Sequence, residues 1–429
     1  MRKITVFLLM IMFCIFLSSP AMGQEEIKVG TLLAHSGPLK DFGSMVQNAV
    51  ILAGTHLTSA GLKVSYAHED SQTSPGPAVN AAKKLVENEK VVAIIGAQSS
   101  AVTMAVAEAV TIPNKTILIS PASTASLLTT LPIDKENDFL FRTCPSDALQ
   151  GVLLGELATG RYESAAVMYI NNAYGKGLAD QFKKSFELRG GTVLAMVPHT
   201  EEVSDSYVSA LKTALAGGVV IEKDPKKMQQ RGGMLKIKKP DVLCVFSYPD
   251  HAKKYVKEAI DSFGYKSFLF CDGTKSEEIL KIAGPENLDG MVGTAPATPG
   301  GESSANFSVA FRKKFGDLPP VPALQSAYDA MAVIGLSAHI VQTKGLPLTS
   351  ENIRDNLRLV ANPPGTIIHA GEFEKAFQII DQGGEINYRG SSGPVDFDEN
   401  GDVITPMEMW RYSDGEIRTF RIEYIIPKE

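Results

Sequence analysis

Short runs of apolar, often β-branched residues alternate with longer segments of helical periodicity from residue 27 onward. This alternation is typical of a parallel sheet whose two faces are covered by the helices that connect its strands. A first series predicts helices at 42–60, 78–88 and 102–110, and strands at 27–34, 62–70, 91–97 and 116–122. The carboxyl ends of parallel strands meet along one edge of a sheet, so we expect the residues that follow these strands to lie together.

A second series of the same kind follows the segment RTCPSDALQG. Its strands are predicted at 165–172, 192–198, 241–249 and 268–273. The chain has 429 residues, which is more than one ordinary core holds. The predicted fold class is therefore α/β, with two doubly wound parallel-sheet lobes.

Three segments depart from this repeat. Residues 217–240 include the basic and polar stretch KDPKKMQQRGG, which predicts a solvated loop rather than a binding surface. Residues 305–361 predict helices, and the small and apolar residues at 327–341 indicate a helix buried on more than one face. The tail alternates polar and apolar residues around Asn400-Gly401 and Asp414-Gly415, a pattern that predicts a β-hairpin.

The first residues have the pattern of a secretion signal. Arg2 and Lys3 precede an apolar run at 4–17, and a small-residue site follows at 21–23. The run is shorter than the roughly 20 apolar residues that span a bilayer, which favours cleavage over a retained membrane anchor. We therefore expect residues 1–23 to be a cleaved signal peptide and the mature chain to be an exported, soluble monomer.

Composition gives no indication of a nucleic-acid partner, because the formal net charge is −6 and no basic stripe stands out. After cleavage three cysteines remain, Cys144, Cys244 and Cys271, so at least one thiol is unpaired within the chain. Cys244 and Cys271 lie in apolar runs, where a small buried side chain is the favoured interpretation over a disulfide or a reactive thiol.

Enzyme and metal signatures are missing from the sequence. There is no G-x-S-x-G, H-E-x-x-H or G-x-x-x-x-G-K-[ST] motif, and the seven histidines are scattered. The acidic segment at 396–402 resembles the first half of a calcium loop, but its twelfth position is Met407 instead of glutamate, which favours a turn. We expect neither catalysis nor a cofactor nor a bound metal.

Hydroxyl-bearing residues follow two neighbouring strands of the first lobe. Ser99 and Ser100 come after the third strand, and Ala122 and Thr124 come after the fourth, each before a plausible helix start. Hydroxyls and free backbone N–H groups at such positions bind carboxylates. Plain helix capping is the alternative for either segment taken alone.

The second lobe offers aromatic rings and one acid at its strand ends. Tyr174, Tyr248 and Asp272 follow three of its predicted strands. Facing the hydroxyl loops, they would make a cleft complementary to a zwitterion. For the two tyrosines, a role as lids over the core is the alternative.

These segments resemble the type I periplasmic binding proteins, in particular the leucine/isoleucine/valine-binding branch that serves ABC importers. The resemblance covers essentially the whole mature chain. It is carried by AHSGPLKDFG (34–43), GAQSS (96–100), ISPASTASLL (119–128), NNAYGKGLA (171–179), FSYPD (246–250) and FCDG (270–273).

The resemblance implies two lobes joined by three hinge crossovers, near 144–147, 294–298 and 402–405. Lobe 1 would then comprise residues 27–145 and 298–403. Lobe 2 would comprise residues 146–297 and 404–429.

For the site, the resemblance implies that Ser99 or Ser100 binds the ligand carboxylate. Thr124 and the backbone of Ala122 would bind it from the neighbouring loop. The ligand would be a small amino acid, branched-chain or related.

The same resemblance implies that Tyr174 closes over the ligand from lobe 2. Asp272 would bind the ammonium where relatives often have glutamate, and Phe42 and Tyr248 would shape the side-chain pocket. The expected function is the substrate-binding component of an importer, with an ABC permease of the inner membrane as partner. The alternative is a periplasmic sensor that presents its closed form to a membrane receptor.

Overall fold

Two separate sheets organise the chain in the computed structural model, which describes residues 25–221 and 235–424. The first sheet contains β1 Ile27–Leu33, β2 Val64–Asp70, β3 Ala93–Gly96, β4 Ile117–Ser120 and β5 Leu140–Arg142. Their order is β2-β1-β3-β4-β5, and every neighbouring pair is parallel. The predicted signal peptide, residues 1–23, lies outside the described residues.

The remaining strands are β6 Ser164–Ile170, β7 Thr192–His199, β8 Gly218–Ile221, β9 Leu235–Lys238, β10 Val242–Phe246, β11 Phe268–Phe270, β12 Val292–Pro296, β13 Thr366–His369, β14 Ile386–Gly390, β15 Gly393–Pro394, β16 Met407–Ser413 and β17 Glu416–Glu423. The second large sheet has the order β17-β16-β12-β11-β10-β6-β7. Its five strands from β12 to β7 are parallel, and β16 and β17 add an antiparallel hairpin at one edge. The predicted fold class, two lobes built on parallel sheets, is confirmed.

The helices of the first series are Lys40–Ser59, Pro75–Lys83 and Ser100–Val106. The last two continue as short π-helical turns, Lys84–Asn88 and Ala107–Thr111. The other helices are Asp147–Thr159, Ala173–Leu188, Val208–Ala214, Pro249–Phe263, Glu277–Ala283, Pro285–Leu288, Glu302–Phe315, Leu324–Thr343, Ser350–Ala361 and Phe373–Asp381.

The central strands are buried along nearly their whole length because helices cover both faces of each sheet. All residues of β4 and β10 are buried, and β1 is buried at six of its seven positions. Strands in this environment have nearly continuous apolar sequence instead of polar and apolar alternation. This explains why ILIS and VLCVF could be predicted as strands.

The helix Leu324–Thr343 is buried on nearly all sides, as its small and apolar residues predict. It packs against the helix Lys40–Ser59 at Gly335, where a Cβ atom would lie 2.3 Å from Leu57 Cδ1. Glycine therefore sets the close approach of these two helices. Both helices also pack against strands of the first sheet.

The chain passes between the two sheets after β5, after β12 and before β16. Arg142, at the end of β5, is 1% exposed and its Nε donates to Asp402 Oδ1 at 2.6 Å. This ion pair joins the first connection to the third. The lobe boundaries at 145/146, 297/298 and 403/404 remain predictions.

The tail hairpin is confirmed, since β16 and β17 flank the turn at Asp414-Gly415. The acidic segment before it forms a turn, in which Asp398 Oδ1 accepts from the backbone N–H groups of Asn400 and Asp402. The predicted solvated loop at 217–240 is wrong for its described ends, because β8 and β9 pair as antiparallel strands. The stretch KDPKKMQQRGG lies outside the described residues.

Among the helices of the described residues, none combines the length and apolar character needed to cross a membrane.

Candidate functional site

The strand ends of the two lobes surround a small cavity of about 40 Å³. Seven of the eight predicted site residues line it: Phe42, Ser100, Ala122, Thr124, Tyr174, Tyr248 and Asp272. Ser99 is not among the lining residues, although its Oγ lies 3.1 Å from the Tyr248 hydroxyl. The cavity has room for roughly three water molecules.

Phe42 lies in the first turn of the helix Lys40–Ser59, beside the carboxyl end of β1. The next residue, Gly43, presses against the backbone there, because a Cβ atom would lie 1.9 Å from the carbonyl oxygen of Ala34. The glycine lets the helix begin directly against the strand end. It thereby places the Phe42 ring at the cavity wall.

The loops that carry the hydroxyls of lobe 1 are tied to each other. Ser120 Oγ donates to the carbonyl oxygen of Ala97 at 2.6 Å, and Ser123 Oγ donates to the same oxygen at 3.0 Å. Ser100 Oγ accepts from the N–H of Ala125 at 3.2 Å. These bonds hold the loops after β3 and β4 as one unit.

The aromatic wall of lobe 2 consists of Tyr174 and Tyr248. Their rings are stacked with centroids 5.5 Å apart and an interplanar angle of 9°. Asn172 caps the helix Ala173–Leu188 by accepting from the N–H of Gly175, and its Nδ2 donates to the Tyr248 hydroxyl at 3.3 Å. These contacts fix the position of the pair at the cavity wall.

Asp272 lies just after β11, in a single helical turn, and is buried. Its Oδ1 accepts from the Tyr174 hydroxyl at 2.7 Å and from Gln150 Nε2 at 3.0 Å. Burial raises the pKa of Asp272, and these two hydrogen bonds offset the rise only in part. A cationic partner would therefore favour the charged form of this carboxyl group.

The lining of the cavity contains Asp272 and no lysine, arginine or histidine among the described residues. The remaining lining side chains are apolar, aromatic, hydroxyl, amide or thiol groups. A ligand in the cavity would thus contact one acid from lobe 2 and hydroxyl groups from lobe 1.

The two lobes contact each other across the cavity. Lys40, on lobe 1, forms an ion pair with Asp250 at the start of the helix Pro249–Phe263. The hydroxyls of Ser99 and Tyr248 add a second contact between the lobes. Ser99 therefore contributes to the closed arrangement even though it does not line the cavity.

Sequence reasoning missed several residues of the site. Gln98 lines the cavity, and its Oε1 accepts from the N–H of Ala34 at 2.8 Å. Pro322, Ala323 and Ser326 line it from the segment that leads into the helix Leu324–Thr343. Gln98 follows β3 in the same loop as Ser99 and Ser100, so its place after a strand end is the signal that could have found it. No local pattern marks Pro322, Ala323 and Ser326, since they reach the cleft through packing of the helical section.

Gln150 was also missed, although it belongs to the segment RTCPSDALQG at the first predicted crossover. It is fully buried and joins Asp272 to the carbonyl oxygen of Thr294. The signal that could have found Gln150 is its amide side chain three residues after Asp147, the acid that begins the helix.

The described cysteines Cys144, Cys244 and Cys271 are buried free thiols, which agrees with the interpretation of Cys244 and Cys271 as small core residues. Burial raises the pKa of the Cys271 thiol to about 12. Within the described ranges, no group of three or more His, Cys, Asp or Glu side chains is arranged to hold a metal ion.

The model of the family described as "Periplasmic binding protein" matches residues 26–415. This chain belongs to that family. The resemblance to type I periplasmic binding proteins is therefore confirmed.

Among its curated relatives is a chemotactic signal transduction system substrate-binding protein, BasB, from Halobacterium salinarum. The two chains are 26% identical over 407 residues, which cover 92% of this chain and 89% of BasB.

Two solved structures share the fold. The branched-chain amino acid transporter substrate-binding protein LivJ from Streptococcus pneumoniae, in complex with isoleucine, has a TM-score of 0.71 at 21% identity, over 94% of this chain and 100% of that one. A solute-binding protein of an ABC transporter from R. palustris, in complex with benzoate, has a TM-score of 0.70 at 17% identity, over 93% of this chain and 96% of that one.

Proposed function

We propose that this chain is the periplasmic substrate-binding component of an ABC importer and captures a small amino acid between its lobes. The observation that carries the proposal is the carboxyl group of Asp272, which lines a cavity whose described walls contain no basic side chain. An ammonium group is the natural partner of such an acid, since a buried carboxylate without a cation is costly.

Lobe 1 offers the partner for the ligand carboxylate. Ser100, Ala122 and Thr124 line the same cavity on two loops that are tied together. A carboxylate placed there would accept from hydroxyl and backbone donors, and the ammonium would then face Asp272. Both side-chain hydrogen bonds to Asp272 end on Oδ1, and Oδ2 would accept from the ammonium.

The side chain of the ligand would lie against apolar walls. Phe42, Leu39 and Pro322 line the cavity together with the stacked rings of Tyr174 and Tyr248. These surfaces favour a branched-chain or related apolar side chain. Residues of both lobes line the cavity, so we expect the lobes to separate at the hinge to admit a ligand before they close around it.

The structural neighbours include proteins with an amino acid and with benzoate, and the site favours the first. Benzoate carries no cation, so it would leave Asp272 unpaired in a closed cleft. The complex of LivJ with isoleucine is consistent with the zwitterion that these groups can bind.

A second function is a ligand sensor that presents its closed form to a membrane receptor. The similarity to BasB, a chemotactic signal transduction protein, favours it specifically. The two functions share the ligand site and differ in the membrane partner. Deletion of the gene would abolish uptake of the ligand in the first case and chemotaxis towards it in the second.

The test of the ligand class is a thermal-shift screen of the mature protein. The panel contains L-leucine, L-isoleucine, L-valine, L-alanine, the 2-hydroxy acid analogue of leucine, and benzoate. An amino acid present at 100 times its dissociation constant stabilises the protein by about 2.7 kcal/mol, whereas the hydroxy acid and benzoate should give little shift. Stabilisation by benzoate alone would contradict the proposed ammonium site.

We also propose that export removes residues 1–23 and that the mature protein is a monomer without catalytic activity. Amino-terminal sequencing of the exported protein should give Gln24 as its first residue. Light scattering should give the mass of one chain with and without an amino acid, and the bound amino acid should be recovered unchanged.

A further inference from the structure

Gln150 is a fully buried amide that contacts the acid of the ligand cavity. It belongs to the first turn of the helix Asp147–Thr159, and its Oε1 has no hydrogen-bond donor among the described residues. A buried acceptor without a donor costs free energy, which an apolar side chain of the same length would avoid. Packing alone therefore does not explain a glutamine at this position, and the contacts of its Nε2 do.

The amide of Gln150 is oriented by two acceptors. Its Nε2 donates to Asp272 Oδ1 at 3.0 Å and to the carbonyl oxygen of Thr294 at 3.1 Å. A reversed amide would bring Oε1 against both of these oxygens, so the observed orientation is the one that the neighbours allow. Both N–H groups of the amide are thus used, one on the acid and one on the backbone of β12.

Gln150 also links segments that lie next to the hinge. Its helix follows the first connection between the lobes, and Thr294 lies in β12, which precedes the second connection. The N–H of Ala297 donates to the carbonyl oxygen of Pro406 at 2.8 Å, which joins the second connection to the third. The ion pair at the end of β5 joins the first to the third. Gln150 completes this set of contacts and adds Asp272 to it.

Two side chains from different helices hold the carboxyl group of Asp272. Tyr174, on the helix Ala173–Leu188, donates to the same Oδ1 at 2.7 Å and accepts from the N–H of Gly273 at 3.1 Å. Tyr174 lines the cavity, whereas Gln150 does not. Gln150 can therefore set the position of the acid without touching the ligand.

A donor to Oδ1 also favours the charged form of Asp272. The hydrogen bonds from Tyr174 and Gln150 lower the pKa of this carboxyl group, although burial raises it more. Burial raises the pKa of the other titratable groups whose charges act on Asp272 or respond to it, so none of them supplies a cation: Cys144, Asp147, Tyr174, Tyr248 and Cys271. Lys275, three residues after Asp272, is paired with Glu408.

We propose that Gln150 is a positioning residue of the ammonium site, which ties Asp272 Oδ1 to β12 and thereby directs the other carboxyl oxygen to the ammonium of the ligand. The same amide connects the acid to the segments through which the lobes are joined. This inference rests on the proposed function and adds to its ammonium site a residue that acts through Asp272.

Gln150→Met tests the proposal, because it removes the amide and keeps a side chain of similar length. Gln342→Met, on lobe 1, is the matched control. Gln342 lies in the last turn of the helix Leu324–Thr343, its Nε2 donates to the carbonyl oxygen of Glu25 at 2.7 Å, and its Oε1 is also buried without a donor in the described part of the chain. Should Gln150→Met fail to fold, Gln150→Leu provides the same measurements.

The first experiment needs no ligand. Infrared spectra of the mature protein across a pH series follow the carboxyl band of Asp272, which is identified as the component missing from Asp272→Asn. Loss of a donor to the charged form should move the midpoint of this band to higher pH in Gln150→Met and leave it unchanged in Gln342→Met. An unchanged midpoint in Gln150→Met overturns the proposal, whether or not an amino acid binds.

The second experiment is a double-mutant cycle measured by calorimetric titration with L-leucine. In the parent background, Gln150→Met should reduce affinity about 10-fold, because a hydrogen bond to a charged group is lost. In the Asp272→Asn background, the same substitution should reduce affinity less than about threefold, because the charge through which Gln150 acts is already absent.

The outcomes of the cycle separate positioning from a general structural role. An equal loss of leucine affinity in both backgrounds, or no loss in either, overturns the proposal. If none of the amino acids of the screen binds while the titration of Asp272 depends on Gln150, the proposed ligand class fails and the positioning of Asp272 by Gln150 stands.

Discussion

Replacement of Asp272 by asparagine tests the ammonium site most directly. The change removes the charge and keeps the shape, and an amide oxygen at the position of Oδ1 can still accept from Tyr174 and Gln150. The free protein should therefore remain folded. Its stability should not fall, because a buried carboxyl group with a raised pKa is replaced by a neutral group.

The expected loss is confined to binding of the amino acid. Its ammonium would face an amide in a cleft whose described lining contains no other acid, and removal of one partner of such a buried pair costs about 2 to 5 kcal/mol. This corresponds to a loss in affinity of about 30-fold to about 4,000-fold. The 2-hydroxy acid analogue should bind to the variant as well as to the parent, or better.

Isothermal titration calorimetry of the parent and the variant with both ligands measures these differences. Asp261→Asn is the matched control, since Asp261 is an exposed acid paired with Lys257 on the helix Pro249–Phe263. Unchanged affinity of folded Asp272→Asn for the amino acid would refute the assignment of Asp272 to the ammonium. The ligand would then be held chiefly by the loops of lobe 1.

Three further predictions concern other parts of the molecule. Thr124→Val should weaken binding of the same amino acid by about 1 to 3 kcal/mol in calorimetry, because one hydroxyl is lost while backbone donors remain. A loss of affinity as large as that measured for Asp272→Asn would contradict this prediction. Lys40→Met removes the ion pair with Asp250 across the cleft. Because the Lys40 side chain is 45% exposed, this substitution should weaken ligand binding by less than about 1 kcal/mol and reduce the effect of added salt on affinity. Burial lowers the pKa of His199 to about 4 and that of His251 to about 3, so the unfolded chain binds more protons below pH 6.5 and stability should fall as the pH drops from 6.5 to 4. His199 alone accounts for about 3 kcal/mol of this loss, and urea denaturation should show a shallower pH dependence in His199→Gln; an identical dependence would argue against a buried neutral His199.

The strands and the cleft residues could be predicted because both follow from local chemistry. Strands such as ILIS and VLCVF are buried on both faces, which requires apolar, largely β-branched sequence. Parallel strands end at one edge of the sheet, so polar residues after those ends had to converge. Seven of the eight predicted site residues accordingly line one cavity.

The remaining contacts depend on distances along the chain that no local pattern encodes. Gln150 reaches Asp272 across 122 residues, and Arg142 reaches Asp402 across 260. The sequence by itself determined the two parallel sheets and the loops that face each other, because burial and turn chemistry act over a few residues. Only the tertiary structure decided that Gln150 meets Asp272, since the packing of lobe 2 sets which buried groups come into contact.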